Sequence, residues 1–362
     1  MATTADDLNG DVVLGVDTHG QTHHAALIDC LGRHLEDAQF PVTPDSYRRL
    51  LAWGRRRGNL RTAGVEGTGS YGTGLARYLR SAGVLVIEVN RPDRSARRMA
   101  GKSDPLDAYA AARAVLNGSA AAAPKSRTGA VEAIRVLRVT RRGVVKARTQ
   151  AINQLRALIV TAPEDMRERL AGLSAAALIR ACAQLRPGTT GGELAGLHDP
   201  ALAATKVALL RMARRYQQLS EEIAELDAEI RPLIRAAAPQ LLALHGAGPQ
   251  VAGQLLATAG DNPDRLRSEA SFAHLCGVAP IPASSGRTRR HRLSRGGDRA
   301  ANNALYTIVL TRLRNDPRTR AYLDRRTAEG LSKPEIIRCL KRHVAREVYR
   351  ALPGTTDHPP RA

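Results

Sequence analysis

Aromatic residues make up only 3% of this 362-residue chain, with two Phe and one Trp. That scarcity argues against a surface that holds single strands by stacking bases on rings, so contacts to a polymer backbone would have to dominate with any nucleic acid. Cysteine is as thin: Cys30, Cys182, Cys276 and Cys339 lie far apart, with neither metal-ligand spacing nor a disulfide framework, and read as reduced core thiols. No apolar run approaches the roughly 18 residues of a membrane span. The polar, acidic Met1–Gly10 has no signal-peptide character, so a cytoplasmic protein without membrane attachment is expected. Acid is also short, with 34 Asp and Glu against 55 Lys and Arg, a formal charge of +21. An excess of that size points to a polyanionic partner, nucleic acid first.

The length exceeds what one core usually serves, and two or three domains are expected. Against the basic background a few acids stand out by position. Gly101–Ala108 sets Asp104 and Asp107 three residues apart at what reads as a helix start, with Asp104 as N-cap, Pro105 in the first turn and an Ala-rich buried helix behind them. Three apart on a helix is one face. Asp17 follows the apolar run Val12–Val16, and Glu66 follows Ala63-Gly64-Val65. By themselves Asp104 and Asp107 read as a pair of solvated capping acids; the addition of Asp17 and Glu66 turns the reading toward a metal site. Four carboxylates converging on a sheet edge would repel unless cations lay between them, and an all-oxygen set suits Mg2+ or Mn2+.

Asp17, Glu66, Asp104 and Asp107 together resemble the acid set of a RuvC-like domain, the ribonuclease H fold. Gly15-Val16-Asp17-Thr18, Val65–Tyr71, Asn90-Arg91-Pro92 and Lys102–Ala108 resemble blocks of the insertion-sequence transposases that join such a domain to a C-terminal serine domain. Ser103 stands where that family usually has Thr. Farther on, Gly277, Pro280, Ser285-Gly286, Ser294, Gly296 and Leu305-Tyr306 resemble the serine block, in which the serine before the glycine is the nucleophile. Without the resemblance, Ser284-Ser285-Gly286 reads as ordinary turn chemistry. The loop after it, Arg287–Arg299, holds six arginines to one acid, Asp298, and must face something anionic; Arg287, Arg289, Arg290, Arg292 and Arg295 are the candidate nucleic-acid contacts. The resemblance implies strand exchange of double-stranded DNA through a phosphoserine link, with the acids as the metal site. It also implies a structured guide RNA and assembly as dimers and tetramers. A junction-resolving nuclease that uses water in place of serine is the alternative.

Along the chain, Asp11–Val16 and Thr22–Ile28 read as a hairpin, Leu60–Glu66 and Val84–Val89 as further strands, and Leu75–Ala82 as a helix, an α/β layout. His19, His23 and His24 lack ligand-spaced partners and read as a solvated turn. Gly118–Gly129 reads as a linker. Ile134 to Ile159 keeps helical spacing beneath Arg135, Arg138, Arg141, Arg142, Lys146, Arg148 and Arg156, a face that either tracks phosphates or is simply solvated. Leu209, Met212, Tyr216, Leu219, Ile223, Leu226, Ile230 and Leu233 form a heptad stripe, which predicts pairing with a second subunit or with the helix near Leu155. Leu241–Ala257 resembles a helix-hairpin-helix around Gly246-Ala247-Gly248. The expected domains are therefore an α/β RuvC-like one at 11–128, a helical and coiled-coil middle at 129–236, a mainly helical serine domain at 237–352, and a disordered tail at 353–362.

Each phosphate neutralised adds about 0.9 to the log–log slope of duplex-DNA affinity against salt. Binding measured by fluorescence anisotropy should therefore weaken steeply between low and moderate salt. A slope near zero would assign the basic surface to another purpose.

Overall fold

Alternation of apolar residues organises the amino-terminal sheet. In the computed structural model, which describes residues 10–89, 103–186, 198–262, 265–285, 291–292, 294 and 296–354, strands β1 (Asp11–Thr18), β2 (Thr22–Asp29), β3 (His34–Pro41), β4 (Asn59–Glu66) and β5 (Leu85–Val89) lie in the order β3-β2-β1-β4-β5. The first three are antiparallel neighbours, whereas β1, β4 and β5 run parallel. Asn90-Arg91-Pro92, Lys102, most of the 187–200 break, Gly286, Arg287, Arg289, Arg290, Arg295 and the tail beyond 354 lie outside the described residues.

Side chains alternate across a strand, and the two faces of this sheet are used differently. Val12, Leu14, Val16, Ala25, Leu27, Ala63 and Val65 point to one face, where they pack on Leu50, Leu51 and Trp53 of α1 (Pro44–Arg56) and on Leu75 and Leu79 of α2 (Thr73–Ser81). Ala26 and Ile28 point to the other and meet Ala108, Tyr109 and Ala112 of α3 (Asp104–Leu116). Gly15 of β1 is registered against Gly64 of β4 on this second face. A Cβ on Gly15 would fall 2.0 Å from the Ala108 carbonyl oxygen and 2.5 Å from the Ala112 nitrogen; one on Gly64 would fall 2.6 Å from the Ala111 oxygen. Glycine at both positions lets the helix backbone lie directly on the sheet.

The hairpin and the three further expected elements are present. Strand β3 and helix α1 were not expected: β3 is an edge strand whose Glu36 and Asp37 break the apolar alternation, whereas α1 did carry a signal, the Thr43 N-cap followed by Pro44. The expected solvated histidine turn is corrected on two counts. His23 is fully buried beside the Tyr47 ring, with its pKa pushed down by burial, and His24 pairs with Asp37 at 2.7 Å. Nor is 118–129 a free linker: the Glu88 amide donates to the Ala122 carbonyl, Arg127 donates to Gly69, and Asn262 donates to Pro124. The chain accordingly forms one compact unit from Met1–Gly129 with Gly260–Arg267 and another from the rest.

The second unit is helical. Helix α4 (Ala130–Val160) packs along α7 (Pro200–Ala237), with α5 (Glu164–Ala171) and α6 (Ala175–Ala183) closing a core of Leu155, Ile159, Met166, Leu178, Leu209 and Ala213. Of the two partners the heptad stripe predicts, the helix that carries Leu155 packs along it within the chain. Part of the basic face of α4 is likewise internal. Arg141 forms a two-pronged pair with Asp227 at 2.7 and 2.9 Å, and Arg138 donates to Gln250 and Gln254. Burial, with Arg141 and Arg142 nearby, lowers the Arg138 pKa to about 10. Arg142, Lys146 and Arg156 stay exposed.

Helices α8 (Pro239–Ala243) and α9 (Pro249–Ala259) flank the Gly246 turn, and α10 (Glu269–Leu275) leads to a two-residue-per-strand hairpin of β6 (Ile281–Pro282) and β7 (His291–Arg292). The remaining helices are α11 (Arg299–Asn315), α12 (Pro317–Ala328) and α13 (Lys333–Ala351). Asp298 caps α11 by accepting from the Ala300 and Ala301 amides, as its position suggested, and Ile336, Leu340, Val344 and Val348 of α13 are buried. No helix among the described residues is long and apolar enough to cross a membrane.

Gly15→Ala should lower stability by about 1–3 kcal/mol, the usual cost of forcing extra volume into a packed contact. The urea midpoint is the measurement; an unchanged midpoint would mean that α3 rides higher on the sheet than described.

Candidate metal centre and serine hairpin

Strand parity decides where the acids go. Residues two apart share a face, so Asp17 lies on the same face as Gly15 and Glu66 on that of Gly64, one step beyond the glycine pair toward the carboxyl ends of β1 and β4. Helix α3, seated on those glycines, begins with Asp104 above this edge. Ser103, with extended backbone (φ −150°), is the N-cap and Asp104 the first helical residue, which corrects the expectation that Asp104 caps the helix. The shift matters chemically. A capping carboxylate spends an oxygen on backbone amides, whereas Asp104 reaches outward, its negative charge favoured by the helix's amino end.

Asp17 is 7% exposed and Asp107 5%; Asp104 is about half exposed at its side chain and Glu66 is half-buried. The Thr18 hydroxyl donates to the Glu66 carbonyl at 2.8 Å, tying the ends of β1 and β4 together. His19 Nε2 lies 3.1 Å from Asp17 Oδ2 and 3.5 Å from Asp104 Oδ1. These three residues present ligand atoms all within 4.8 Å of one another, and they are the group among the described residues that does so. Glu66 and Asp107 share the sheet edge and the helix without joining it. His19 was missed as a ligand because it was grouped with its neighbours in a turn. The available signal was its spacing, since Asp17-x-His19 at a strand end puts both on one side.

Two carboxylates and an imidazole at this separation fit a divalent cation: the oxygens suit hard ions such as Mg2+ and Mn2+, and the imidazole is compatible with the latter. The ring nitrogen of His19 sits between carboxylates that would otherwise repel across the gap.

In the second unit, Ser284 and Ser285 are exposed in the loop of the β6–β7 hairpin, and Arg292 is exposed on β7 opposite Ile281. The base of that hairpin is held firmly. Gly297 packs so closely on Gly277 that a Cβ would fall 2.1 Å from the Gly277 nitrogen. Asn302 on α11 donates to the Cys276 and Gly277 carbonyls, both at 3.0 Å, and the buried Lys341 on α13 donates to Asn302 Oδ1 at 2.8 Å. The sequence reading did not find Asn302 or Lys341. A lysine beside Leu340, at the edge of the buried stripe of an amphipathic helix, is the faint signal, because a buried ammonium requires a partner. The acids belong to the first unit and Ser285 to the second.

Asp17→Asn and Asp104→Asn should each weaken Mn2+ binding at least tenfold in calorimetric titration, with the circular dichroism spectrum unchanged. Undiminished binding by both variants would remove these residues from the metal site.

Comparison with known proteins gives matches at both ends. Residues 14–162 match the DEDD transposase family of IS110, and residues 238–324 match the transposase family of IS116, IS110 and IS902. The chain is 33% identical over 154 residues to the insertion element IS900 uncharacterized 42 kDa protein of Mycobacterium paratuberculosis, which covers 42% of this chain and 38% of that protein. It is 27% identical over 156 residues to the insertion element IS110 uncharacterized 43.6 kDa protein of Streptomyces coelicolor, again 42% of this chain and 38% of the relative. Each match thus spans under two-fifths of the relative's length. The mixed sheet ending in carboxylates is consistent with a RuvC-like domain of the DEDD kind, and each of the two matched stretches is similar to a transposase domain of the IS110 kind.

Proposed function

We propose that this protein is a DNA recombinase that moves an insertion sequence by strand exchange, with Ser285 as nucleophile and Asp17, Glu66, Asp104 and Asp107 as the holders of Mg2+ or Mn2+. The observation that carries the reading is the convergence of Asp17 and Asp104 on His19 at the carboxyl edge of β1, inside a stretch that matches a DEDD transposase family. In this reading residues 11–128 form the metal domain, 129–236 the helical middle and 237–352 the serine domain.

The chemistry assigned to the chain's own groups is a transesterification. The Ser285 hydroxyl oxygen bonds to phosphorus, the bond from phosphorus to the leaving deoxyribose oxygen breaks, the serine proton is released, and the leaving oxygen takes one up. The phosphoserine ester keeps the energy of the broken bond, so a second strand's hydroxyl can displace the serine without ATP. Arg287, Arg289, Arg290, Arg292 and Arg295 would offset charge on the phosphate as it gains it. A divalent ion at the acids would neutralise the scissile phosphate and ease deprotonation of a hydroxyl brought to it. The acids and Ser285 then work as one composite site, within a chain or between copies in a dimer or tetramer. Sequence choice is assigned to a structured guide RNA, since a protein this poor in aromatics suits backbone contacts while base pairing reads sequence.

A second reading, a structure-selective nuclease with water as nucleophile, is favoured by one observation: the acid group assembles wholly within the first unit. Denaturing electrophoresis of cleavage reactions on labelled DNA separates the two. Wild type should yield a protein–DNA adduct that disappears in Ser285→Ala and persists in Ser284→Ala. An adduct that survives Ser285→Ala moves the nucleophile elsewhere, and cleavage with no adduct at all favours the nuclease.

A further inference from the structure

The carboxy-terminal unit holds a cavity of about 640 Å3 whose lining extends from the serine hairpin to residues that have been given no role. Its walls are the hairpin residues Pro280, His291 and Arg292 together with α12, the Gly330-Leu331 turn and α13. Among the lining residues the permanent cations are Arg292, Arg326, Arg338, Lys341 and Arg342, and the one acid is Glu335. That acid is committed elsewhere, because its Oε2 accepts from the amide and hydroxyl of Ser332 in the capping box of α13 and its other oxygen stands 3.8 Å from Arg338.

Two neighbours behind the wall balance part of the charge. Glu329 pairs with Arg326, and Glu269 accepts from both Arg342, at 3.3 Å, and Arg346, at 3.1 Å. Even so, Arg326 Nε and Arg342 Nη1 are buried without a hydrogen-bond partner among the described residues. A buried donor left unmade costs about 1–3 kcal/mol, so the described residues satisfy these two guanidiniums only in part, and the cavity they line holds five permanent cations to one acid. The local field agrees: burial and then Arg338 push the Lys341 pKa down, and burial, then Arg346 and Arg342, push that of His343 down.

We propose that this cavity binds a backbone phosphate of the DNA strand engaged by the serine hairpin, adjacent to the phosphate that meets Ser285. Guanidinium forks match phosphate oxygens, and the cavity lies within the size range of pockets that enclose a nucleotide-scale ligand. DNA is favoured over RNA because one wall is the hairpin whose loop carries Ser284 and Ser285. The assignment rests on the recombinase reading, and it adds to that reading a phosphate-holding role for α12 and α13, whose sequences carry no nucleic-acid motif.

The test uses the full chain and a fluorescein-labelled duplex of mixed sequence, titrated at stepped salt. Arg326→Gln/Arg338→Gln should bind at least tenfold more weakly than wild type, with a salt slope shallower by about 0.9 for each phosphate no longer neutralised. Arg320→Gln, exposed on α12 outside the cavity, should bind as wild type does. A second measurement needs no variant. Cys339 lines the cavity and Cys30 is exposed in the other unit, so the duplex should slow N-ethylmaleimide labelling of Cys339 at least threefold and leave Cys30 unaffected. Full affinity and slope in the double variant, with Cys339 as reactive as before, would overturn the pocket while wild-type binding upheld the recombinase reading. Protection by an RNA hairpin but not by the duplex would overturn the choice of DNA. A flat wild-type salt dependence would remove both readings.

Discussion

The close approach of α3 to the sheet is the contact on which the cluster of Asp17, His19 and Asp104 depends. Gly15 and Gly64 are paired across β1 and β4, and the absence of both side chains lets Ala108, Ala111 and Ala112 rest on backbone. Interiors are packed densely enough that a helix cannot hover over a missing contact, so the glycines set both the height and the axial position of α3. Asp17 and Glu66 stand one step farther along the same strand faces, and the first turn of α3 delivers Asp104 to the group that Asp17 forms with His19. The carboxylates therefore owe their separation to residues with no chemistry of their own.

A comparable division of labour operates at the serine hairpin. Among the described residues β6 and β7 pair over two residues each, far less than an isolated hairpin needs for stability. Its rigidity has to come from beneath, from the Gly277–Gly297 contact, from Asn302 holding two successive carbonyls, and from Lys341 holding Asn302. The ammonium of Lys341 is buried for this purpose and adds to the positive potential of the neighbouring cavity.

The excess of arginine divides into groups with different work. Arg138 and Arg141 lock α4 to α9 and α7 inside the second unit, where paired and partly buried charge rigidifies a helical stack. Other arginines make only exposed pairs within one or two turns, such as Arg48–Asp45 and Arg167–Glu164, which contribute about 0–1 kcal/mol each. A third group, Arg292, Arg326, Arg338 and Arg342, lines one cavity together with a single acid. Net charge alone forecasts a polyanionic partner but cannot sort these groups, because composition holds no information about which cation already has an acid.

Strand alternation, helix periodicity and the Asp104-Pro105 start are local properties, written over a few residues each, so the sequence by itself determined the β1–β2 hairpin, β4, the helical second half and the four acids as candidates. The edge strand β3 left no such trace, since one face of it meets water. His19 looked like a turn residue, and only the folded edge of β1 brings it between Asp17 and Asp104. The heptad stripe left a second subunit and the helix near Leu155 open as partners; within the chain, tertiary structure packs it along α4, which carries Leu155. Tertiary structure alone also decided that Asn302, Lys341 and the arginines of α12 and α13 surround the base of the serine hairpin. Those residues are separated by scores of positions along the chain, and no periodicity links side chains that meet only when separate helices pack.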